Sequence, residues 1–275
     1  MNKNNIPQVY TELHCGFGVS LTNDSSPTLT SMSSPFESMH NRSGAAGETH
    51  YIYGPVALWA FENSEIPAFL NVGLGLGYIE LLIALVADDR PYSIVSLETV
   101  DSLKTEFKNY LQKFSEGKKE ENIYSRVLES LEKLTFKKLT AEMAQQLLRN
   151  ITFGSDFNEW LSTEAHIQAS STKNQTDVEA SNFKTVERVL NSPSAAEFFK
   201  FNGIFFDPFS EKTSPQIWQD NVVQNFLSTR CDTKCAFSTY AAKGKLNRAL
   251  KSLGFSLFKK PGYAGKREST FATRS

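Results

Sequence analysis

The segment 203–210 contains the side chains with the clearest capacity for chemistry. Ile204 through Asp207 has the pattern of a buried strand that ends in a carboxylate, and Pro208 stops the strand. At the carboxyl end of a parallel strand, the Asp207 oxygens and the Pro208 carbonyl can accept hydrogens from an amine. Phe209 offers a flat surface for a ring. This combination suits methylation of an exocyclic amine, but a plain strand end with a turn-forming proline and a core phenylalanine explains it equally well.

A second candidate site is the glycine-rich turn Gly73-x-Gly-x-Gly77. Glycines let the backbone turn sharply and let a ligand approach it closely. The turn follows a predicted strand, Ala68–Asn71, and precedes a predicted helix, Tyr78–Ala87. Glu98 comes about twenty residues later, the separation expected for an acid that accepts hydrogen bonds from ribose hydroxyls. Nucleotide or S-adenosylmethionine binding is the favoured interpretation, and a merely tight turn is the alternative.

The elements that must position these segments alternate between strand and helix. After Gly77 and its helix, the patterns predict strand Tyr92–Leu97, strand Ile204–Asp207, helix Pro215–Thr229, strand Lys234–Tyr240, helix Ala242–Leu253, and strands Phe255–Lys259 and Glu268–Thr273. Alternation followed by two closely linked strands predicts an α/β fold, a mostly parallel sheet closed by an antiparallel edge hairpin. The hairpin and the Asp207 segment favour S-adenosylmethionine over a nicotinamide, and no Walker lysine pattern is present.

The remaining segments predict additions to this sheet. Residues 1–60 have turn and strand chemistry and predict an N-terminal β extension and loop; residues 61–275 form the main domain. Apolar stripes at helical spacing predict a helical insertion at about 101–165. A third strand is expected between His166 and Ser170.

The loop of the amino-terminal segment contains three side chains of interest, Glu37, His40 and Glu48, before a short predicted helix at Val56–Asn63. His40 lies close to Glu37, yet a lone histidine is more often structural than functional.

Composition limits the classes of protein. The chain has 275 residues, of which 40% are hydrophobic, and this is enough to form a sizeable core. Its net charge is −1. From Lys243 onward, however, the sequence contains nine basic residues and a single acid, Glu268. This tail suits a polyanionic partner, although a solvated helix face explains several of its lysines as well.

Targeting and metal signals are weak. The amino terminus is polar and lacks an apolar signal core, so we expect a cytoplasmic protein. The apolar stretch Ile66–Ala87 contains three glycines, Asn71 and Glu80, which argue against a membrane span. Cys15, Cys231 and Cys235 form neither a disulfide framework nor a zinc pattern, so we expect reduced thiols and no metal.

Several separated segments together resemble a known family. They are Pro27-Thr28-Leu29 through Glu37-Ser38-Met39-His40, Ser43-Gly44-Ala45 with Glu48, Asn71 to Gly77, Asp207-Pro208-Phe209-Ser210 with Lys212, Pro215 and Trp218, Thr239-Tyr240-Ala241-Ala242 with Arg248 and Gly254-Phe255, and Gly262-Tyr263 with Gly265-Lys266-Arg267-Glu268. The chain is similar to the methyltransferase family represented by the amino-terminal half of MnmC. That bifunctional enzyme finishes 5-methylaminomethyl-2-thiouridine at the tRNA wobble position. The resemblance covers roughly residues 20–98 and 200–270, with Asn71 where the family usually has an acid and Met39 where it has an aromatic.

The resemblance implies a Rossmann-like class I methyltransferase that uses S-adenosylmethionine to methylate the aminomethyl group of 5-aminomethyl-2-thiouridine. Its partner would be the tRNA anticodon stem-loop. The implied catalytic residues are Asp207, Pro208 and Phe209. The implied cofactor-binding residues are His40, Glu48, Asn71, Gly73, Gly75, Gly77, Glu98 and Asp207. The implied substrate-binding residues are Phe209, Tyr240, Lys243, Arg248, Lys266 and Arg267.

Two alternatives remain open: the same chemistry on another amine, in a different RNA, a protein or a small molecule, and a non-catalytic RNA-binding relative. The chain contains no second nucleotide-binding segment, so we expect the flavin-dependent oxidase half to be absent.

Overall fold

In the computed structural model, the described residues are 10, 12–34, 36–155, 200–265 and 268–275. A small antiparallel sheet comes first, with strands in the order β1 (Glu12–His14), β2 (Phe17–Leu21) and β3 (Pro27–Thr30). This is the predicted N-terminal β extension. The elements that follow are α1 (Ala45–Asn63), β4 (Ala68–Val72), α2 (Tyr78–Ala87), β5 (Ser93–Leu97), α3 (Asp101–Ser115), α4 (Ile123–Thr135), α5 (Ala141–Asn150), β6 (Ile151–Gly154), β7 (Phe201–Phe206), α6 (Asp220–Arg230), β8 (Cys231–Thr239), α7 (Gly244–Ser252), β9 (Ser256–Lys260), a 3-10 turn (Tyr263–Gly265) and β10 (Ser269–Arg274).

The main sheet has seven strands in the order β6-β5-β4-β7-β8-β10-β9. Five adjacent strands, β6, β5, β4, β7 and β8, are mutually parallel. Strand β10 runs antiparallel to both β8 and β9. The predicted α/β fold with an antiparallel edge hairpin is confirmed. The strand order reverses between β4 and β7, and ligands of open α/β sheets bind at such a reversal, outside the carboxyl ends of the strands.

Both faces of the main sheet are covered, so its central strands are buried on both sides. Phe69 and Phe205 belong to the core on the side of α1 and α2, whereas Leu70 and Phe206 belong to the core on the side of α6 and α7. Successive strand residues point to opposite faces, which explains this division. Continuous apolar runs are the expected pattern for parallel strands covered on both faces.

Helix α1 begins at Ala45, eleven residues before the predicted Val56. Its first amide groups are capped by residues that lie far from them in the sequence. Ala45 N–H donates to the hydroxyls of Thr22 (3.2 Å) and Ser26 (3.0 Å), and Gly47 N–H donates to the Asp24 carboxylate (3.1 Å). Such acceptors satisfy the amides that have no partner within a helix. The prediction that Glu48 lies in a loop was therefore wrong, since Glu48 belongs to the first turn of α1.

The third parallel strand is β6, which starts directly after Asn150 ends α5. It pairs with β5, with Ile94 opposite Ile151. The sequence predicts a strand at 166–170, which lies outside the described residues, and predicts that 151–154 belongs to the helical insertion. A four-residue strand that follows a helix without a loop has no separating turn signal, which explains the error. Helix α6 also begins later than predicted, at Asp220, and Pro215 precedes it.

None of the helices in the described part of the chain has both the length and the apolar character required to cross a membrane.

Candidate active site

A cavity of about 240 Å³ lies where the strand order reverses. It is lined by the turns after β4, β5 and β7, by the loop that follows β3, and by α1. The predicted site residues that line it are His40, Glu48, Gly73, Gly75, Glu98, Asp207, Pro208, Phe209 and Tyr240. The fold therefore brings together residues from the amino-terminal extension and from both ends of the main domain.

The glycine turn packs directly against the backbone of Asp207. Gly73 has φ +105°, and a Cβ atom on it would lie 2.6 Å from the Asp207 carbonyl oxygen. Gly77 has φ +71°, and a Cβ there would lie 2.2 Å from the Phe107 ring. Since any other residue would meet these atoms in a strained conformation, two of the three glycines are required by close packing. Gly75 lines the cavity, whereas Gly77 does not.

Glu98 fastens the glycine turn to the end of β5. One carboxylate oxygen accepts a hydrogen bond from Gly75 N–H (3.1 Å), and the other accepts one from Val100 N–H (3.0 Å). The predicted pairing of a glycine turn with an acid on the next strand is thus realised as a direct contact.

Asn71 does not line the cavity, which does not support the prediction that it contacts the cofactor. Its side chain is fully buried and donates to Gly73 O (3.1 Å) and to Glu80 Oε1 (2.6 Å). Glu80 Oε1 also accepts from the Ser96 hydroxyl (2.7 Å), while its Oε2 is buried and has no hydrogen-bond partner among the described residues. Asn71 therefore stabilises the glycine turn through the Gly73 carbonyl. The carboxylate that Asn71 contacts is that of Glu80 on α2.

Burial raises the pKa of Glu80 to about 7, against the opposing effect of its hydrogen bonds from Ser96 and Asn71. A raised pKa means that folding favours the protonated acid. The stabilisation from this group is therefore complete below the usual glutamate pKa and is lost as pH rises through 7.

We expect Glu80→Gln to remove this pH dependence, because glutamine has the shape of the protonated acid. Between pH 5 and pH 8 the unfolding free energy of the wild type should fall relative to that of the variant by about 2 kcal/mol. Urea unfolding at the two pH values measures the difference. Glu129→Gln, at an exposed position of α4, should behave as the wild type. Parallel curves for wild type and Glu80→Gln would contradict this account.

The segment after β7 is held by hydrogen bonds to its backbone. Asp207 N–H donates to Val72 O (3.0 Å), which continues the ladder beyond the end of the strand. The Tyr240 hydroxyl donates to Pro208 O (3.0 Å), and Trp218 Nε1–H donates to Phe209 O (2.8 Å). Burial, and then the carboxylate of Asp207, raises the pKa of Tyr240, so that its hydroxyl remains a donor. One lone pair of the Pro208 carbonyl is therefore already used by the protein, and Tyr240 positions this carbonyl.

Glu37 connects the amino-terminal extension to the same segment, a role that the sequence analysis did not assign to it. Its carboxylate accepts hydrogen bonds from Ser210 N–H (2.9 Å), from the Ser210 hydroxyl (2.9 Å) and from the Thr213 hydroxyl. Glu37 also lines the cavity. It therefore fixes the loop that carries Phe209 to the loop that follows β3.

His40 and Glu48 contribute from the same side. The Nδ1 atom of His40 lies 3.1 Å from the Thr28 hydroxyl, and its ring packs edge-on against Tyr78. Glu48 is 4% exposed and accepts a hydrogen bond from Asn41 N–H (2.5 Å). Both side chains are held in place by the extension.

Two of the predicted basic residues, Lys243 and Arg248, lie apart from the cavity. Lys243 Nζ forms an ion pair with Glu211 (2.8 Å) and lies 4.1 Å from the centroid of the Trp218 ring. Arg248 is exposed on α7 and, with Lys243, borders a separate depression. Lys266 and Arg267 lie outside the described residues.

The cavity also contains a polar side chain that the sequence did not predict. Ser155 follows β6 and lines the cavity, and it was missed because the strand was placed too late in the chain.

The charged side chains that line the cavity are mainly acidic. Among the described residues, its lining includes the carboxylates of Glu37, Glu48, Glu98 and Asp207 and neither lysine nor arginine. Carboxylates in a cleft with apolar walls attract cations. The site is therefore suited to a positively charged ligand.

Comparison with known proteins agrees with this geometry. A family model described as S-adenosyl-L-methionine-dependent methyltransferase matches residues 142–275. The tRNA 5-methylaminomethyl-2-thiouridine biosynthesis bifunctional protein MnmC of Campylobacter hominis is 24% identical over 226 residues, which are 81% of this chain and 28% of that protein. The protein of the same name from a Marinomonas species is 38% identical over 68 residues, 24% of this chain and 10% of that protein. The chain thus matches less than a third of the length of either relative.

A solved structure shows the same fold. The crystal structure of MNMC2 from Aquifex aeolicus superposes with a TM-score of 0.55 and 18% identity, over 96% of this chain and 72% of that one. Taken together, the family model over residues 142–275, the relatives and the shared fold make the chain similar to MnmC-like, S-adenosylmethionine-dependent methyltransferases.

Proposed function

We propose that the protein methylates the nitrogen of an aminomethyl group, and that this group belongs to 5-aminomethyl-2-thiouridine at the wobble position of tRNA. The observation that carries the proposal is the cavity at the strand reversal, where four carboxylates meet and the described lining contains no basic side chain other than His40. A sulfonium cofactor and an alkylamine that is protonated at neutral pH are both cations, so one acidic cavity suits both.

The residues present fit S-adenosylmethionine. Gly75 exposes backbone to the cavity, and Glu98 lies beside it at the end of β5, where an acid can accept hydrogen bonds from ribose hydroxyls. Glu48 and His40 would complete the cofactor pocket from the other side. When bound, the cofactor supplies a methyl carbon that is already electrophilic. The protein therefore has mainly to align an amine with that carbon and to exclude water.

Asp207 and Pro208 are placed to align the amine. Once the ammonium group has lost one proton to water, the carboxylate and the second lone pair of the Pro208 carbonyl can accept the two hydrogens that remain, which directs the nitrogen lone pair away from them. The bound cofactor would give its methyl group to this nitrogen and leave as S-adenosylhomocysteine, and the methylated nitrogen would release one proton. Asp207 is the acceptor nearest to that proton in this arrangement.

The tRNA substrate is supported by the relatives, whose name refers to biosynthesis of a tRNA nucleoside. Phe209 borders the cavity beside Asp207 and offers a ring on which an unstacked uracil can rest. Lys243 and Arg248 lie on the carboxyl-terminal face and would contact phosphates. Because Lys243 is paired with Glu211, it would exchange that partner for phosphate.

Incubation with tritium-labelled S-adenosylmethionine tests the proposal. Total tRNA and total protein, each from cells that lack the gene, serve as substrates in parallel. We expect label in tRNA, recovered as a methylaminomethyl uridine after digestion. Label in protein alone would point to another amine. No label in either, together with no calorimetric binding of the cofactor near millimolar concentration, would indicate a non-catalytic relative.

We expect Glu37→Gln to raise the KM for the RNA substrate about tenfold, since an amide cannot accept all the hydrogen bonds that the carboxylate accepts from Ser210 and Thr213. The affinity for S-adenosylhomocysteine should stay unchanged. Steady-state kinetics and calorimetry separate the two effects. Glu62→Gln, at an exposed position of α1, is the matched control. An unchanged KM would show that the contact does not position the loop.

A further inference from the structure

Tyr53 occupies a position beside Asp207 that the fold dictates. It lies on α1, its ring is 2% exposed, and it packs edge-on against Phe205 with ring centroids 6.0 Å apart. Since side chains alternate along a strand, Asp207 points to the same side of the sheet as Phe205. The hydroxyl of Tyr53 therefore reaches the cavity at the Asp207 carboxylate.

The Tyr53 hydroxyl lacks a well-formed hydrogen bond. It interacts with the Asp207 carboxylate, but within the described part of the chain no acceptor or donor meets it in hydrogen-bonding geometry. Buried hydroxyls are nearly always paired, and the exceptions in native proteins call for an explanation. Here the hydroxyl borders a ligand cavity, so a bound ligand can supply the missing partner.

Protonation decides what this hydroxyl can do. Burial, followed by the charge of Asp207, raises the pKa of Tyr53 well above that of an ordinary tyrosine. The group therefore remains a neutral O–H and cannot act as a base. A neutral hydroxyl donates one hydrogen bond and accepts others. It can donate to the Asp207 carboxylate and at the same time accept a hydrogen from a nitrogen.

We propose that Tyr53 is a substrate-binding residue for the amine: its hydroxyl accepts a hydrogen bond from the nitrogen while it donates to Asp207. This inference rests on the proposed function, because it requires an amine substrate. It adds a third acceptor beside Asp207 and Pro208, so that each of the three hydrogens of the bound ammonium group has an acceptor before one proton is lost. The three groups come from α1 and from the end of β7, so the nitrogen is held from two elements.

The test compares two anticodon stem-loop RNAs, one with 5-aminomethyl-2-thiouridine and one with 2-thiouridine at the wobble position. Calorimetry gives the affinity of each for the protein saturated with S-adenosylhomocysteine. The ratio of the two affinities isolates the contribution of the amine. We expect Tyr53→Phe to lower this ratio about tenfold, since a hydrogen bond to a charged group is lost. We expect the affinity for S-adenosylhomocysteine to stay within twofold of the wild type.

Tyr92→Phe is the matched control. Tyr92 is also buried, and its hydroxyl has no hydrogen-bond partner in the part of the chain that the structure describes, but it packs against Phe61, away from the cavity. Both variants should be at least as stable as the wild type, because removal of an unsatisfied buried hydroxyl has little cost. Tyr92→Phe should keep the wild-type ratio.

The outcomes distinguish the two proposals. If the wild type binds both RNAs equally, the amine is not recognised, and the proposed function fails together with this inference. If the wild type prefers the aminomethyl RNA and Tyr53→Phe keeps that preference, only the role of Tyr53 is refuted. A loss of S-adenosylhomocysteine affinity in Tyr53→Phe would assign the hydroxyl to the cofactor and would also refute it.

Discussion

Asp207→Asn should lower kcat for methyl transfer by about 10²–10⁴-fold, the range typical of a positioned group that handles a proton. Asparagine keeps the shape of the side chain but replaces one acceptor oxygen with a donor, so the amine loses both its orientation and a nearby acceptor for its proton. The fold should be unaffected, since the backbone bond from Asp207 N–H to Val72 O does not involve the side chain.

Single-turnover transfer of labelled methyl to RNA measures the effect, and calorimetry with S-adenosylhomocysteine monitors the cofactor site. We expect cofactor affinity to fall far less than the rate, because the glycine turn and Glu98 remain in place. Asp220→Asn, a change at the exposed start of α6, is the control and should leave the rate unchanged. A rate for Asp207→Asn within fivefold of the wild type would refute a direct role of this carboxylate.

Gly73→Ala should destabilise the protein by about 1–3 kcal/mol from backbone strain alone. The added Cβ would also lie 2.6 Å from the Asp207 carbonyl oxygen, an atom of the backbone that cannot rotate away. Relief of this contact requires the turn after β4 and the end of β7 to separate. Folded Gly73→Ala protein should therefore transfer methyl groups slowly, because Asp207 and the glycine turn are displaced from one another.

Gly54→Ala is the matched control for this substitution. Gly54 lies inside α1, and a Cβ there would meet only the His50 ring at 3.8 Å, an ordinary contact. Alanine is favoured over glycine in a helix, so this variant should be as stable as the wild type or more stable. Chemical denaturation of both variants provides the comparison. Equal stability of Gly73→Ala and Gly54→Ala would show that the turn tolerates a side chain.

Elements with local signals were predicted well. Helix α2 has the predicted bounds because both ends are marked in the chain: Gly77 adopts a left-handed conformation before it, and Asp88 has φ +58° after it. The glycine turn was also recognisable, since close approach of two backbones requires glycine at Gly73. The segment after β7 was found because proline ends a strand visibly.

Elements that depend on distant partners were not predictable from patterns. Helix α1 lacks a local capping residue, and its caps come from Thr22 and Ser26 in another element. Glu37 and Ser210 are separated by 173 positions, so no spacing in the sequence indicates their contact. Tyr53 was not singled out in the sequence, since it precedes the predicted helix Val56–Asn63. Its proximity to Asp207 follows from the packing of α1 against β7, which only the tertiary structure gives.

The distant caps of α1 have a consequence for the energetics of the whole chain. The extension caps the helix that carries Glu48 and Tyr53, and it also supplies Glu37, so its docking and the formation of the cavity belong to one cooperative unit. Thermodynamic linkage is reciprocal: whatever binds in the cavity must also tighten the extension. Occupancy of the active site should therefore protect the backbone of β1–β3 against proteolysis and hydrogen exchange, although none of these strands reaches the reacting atoms.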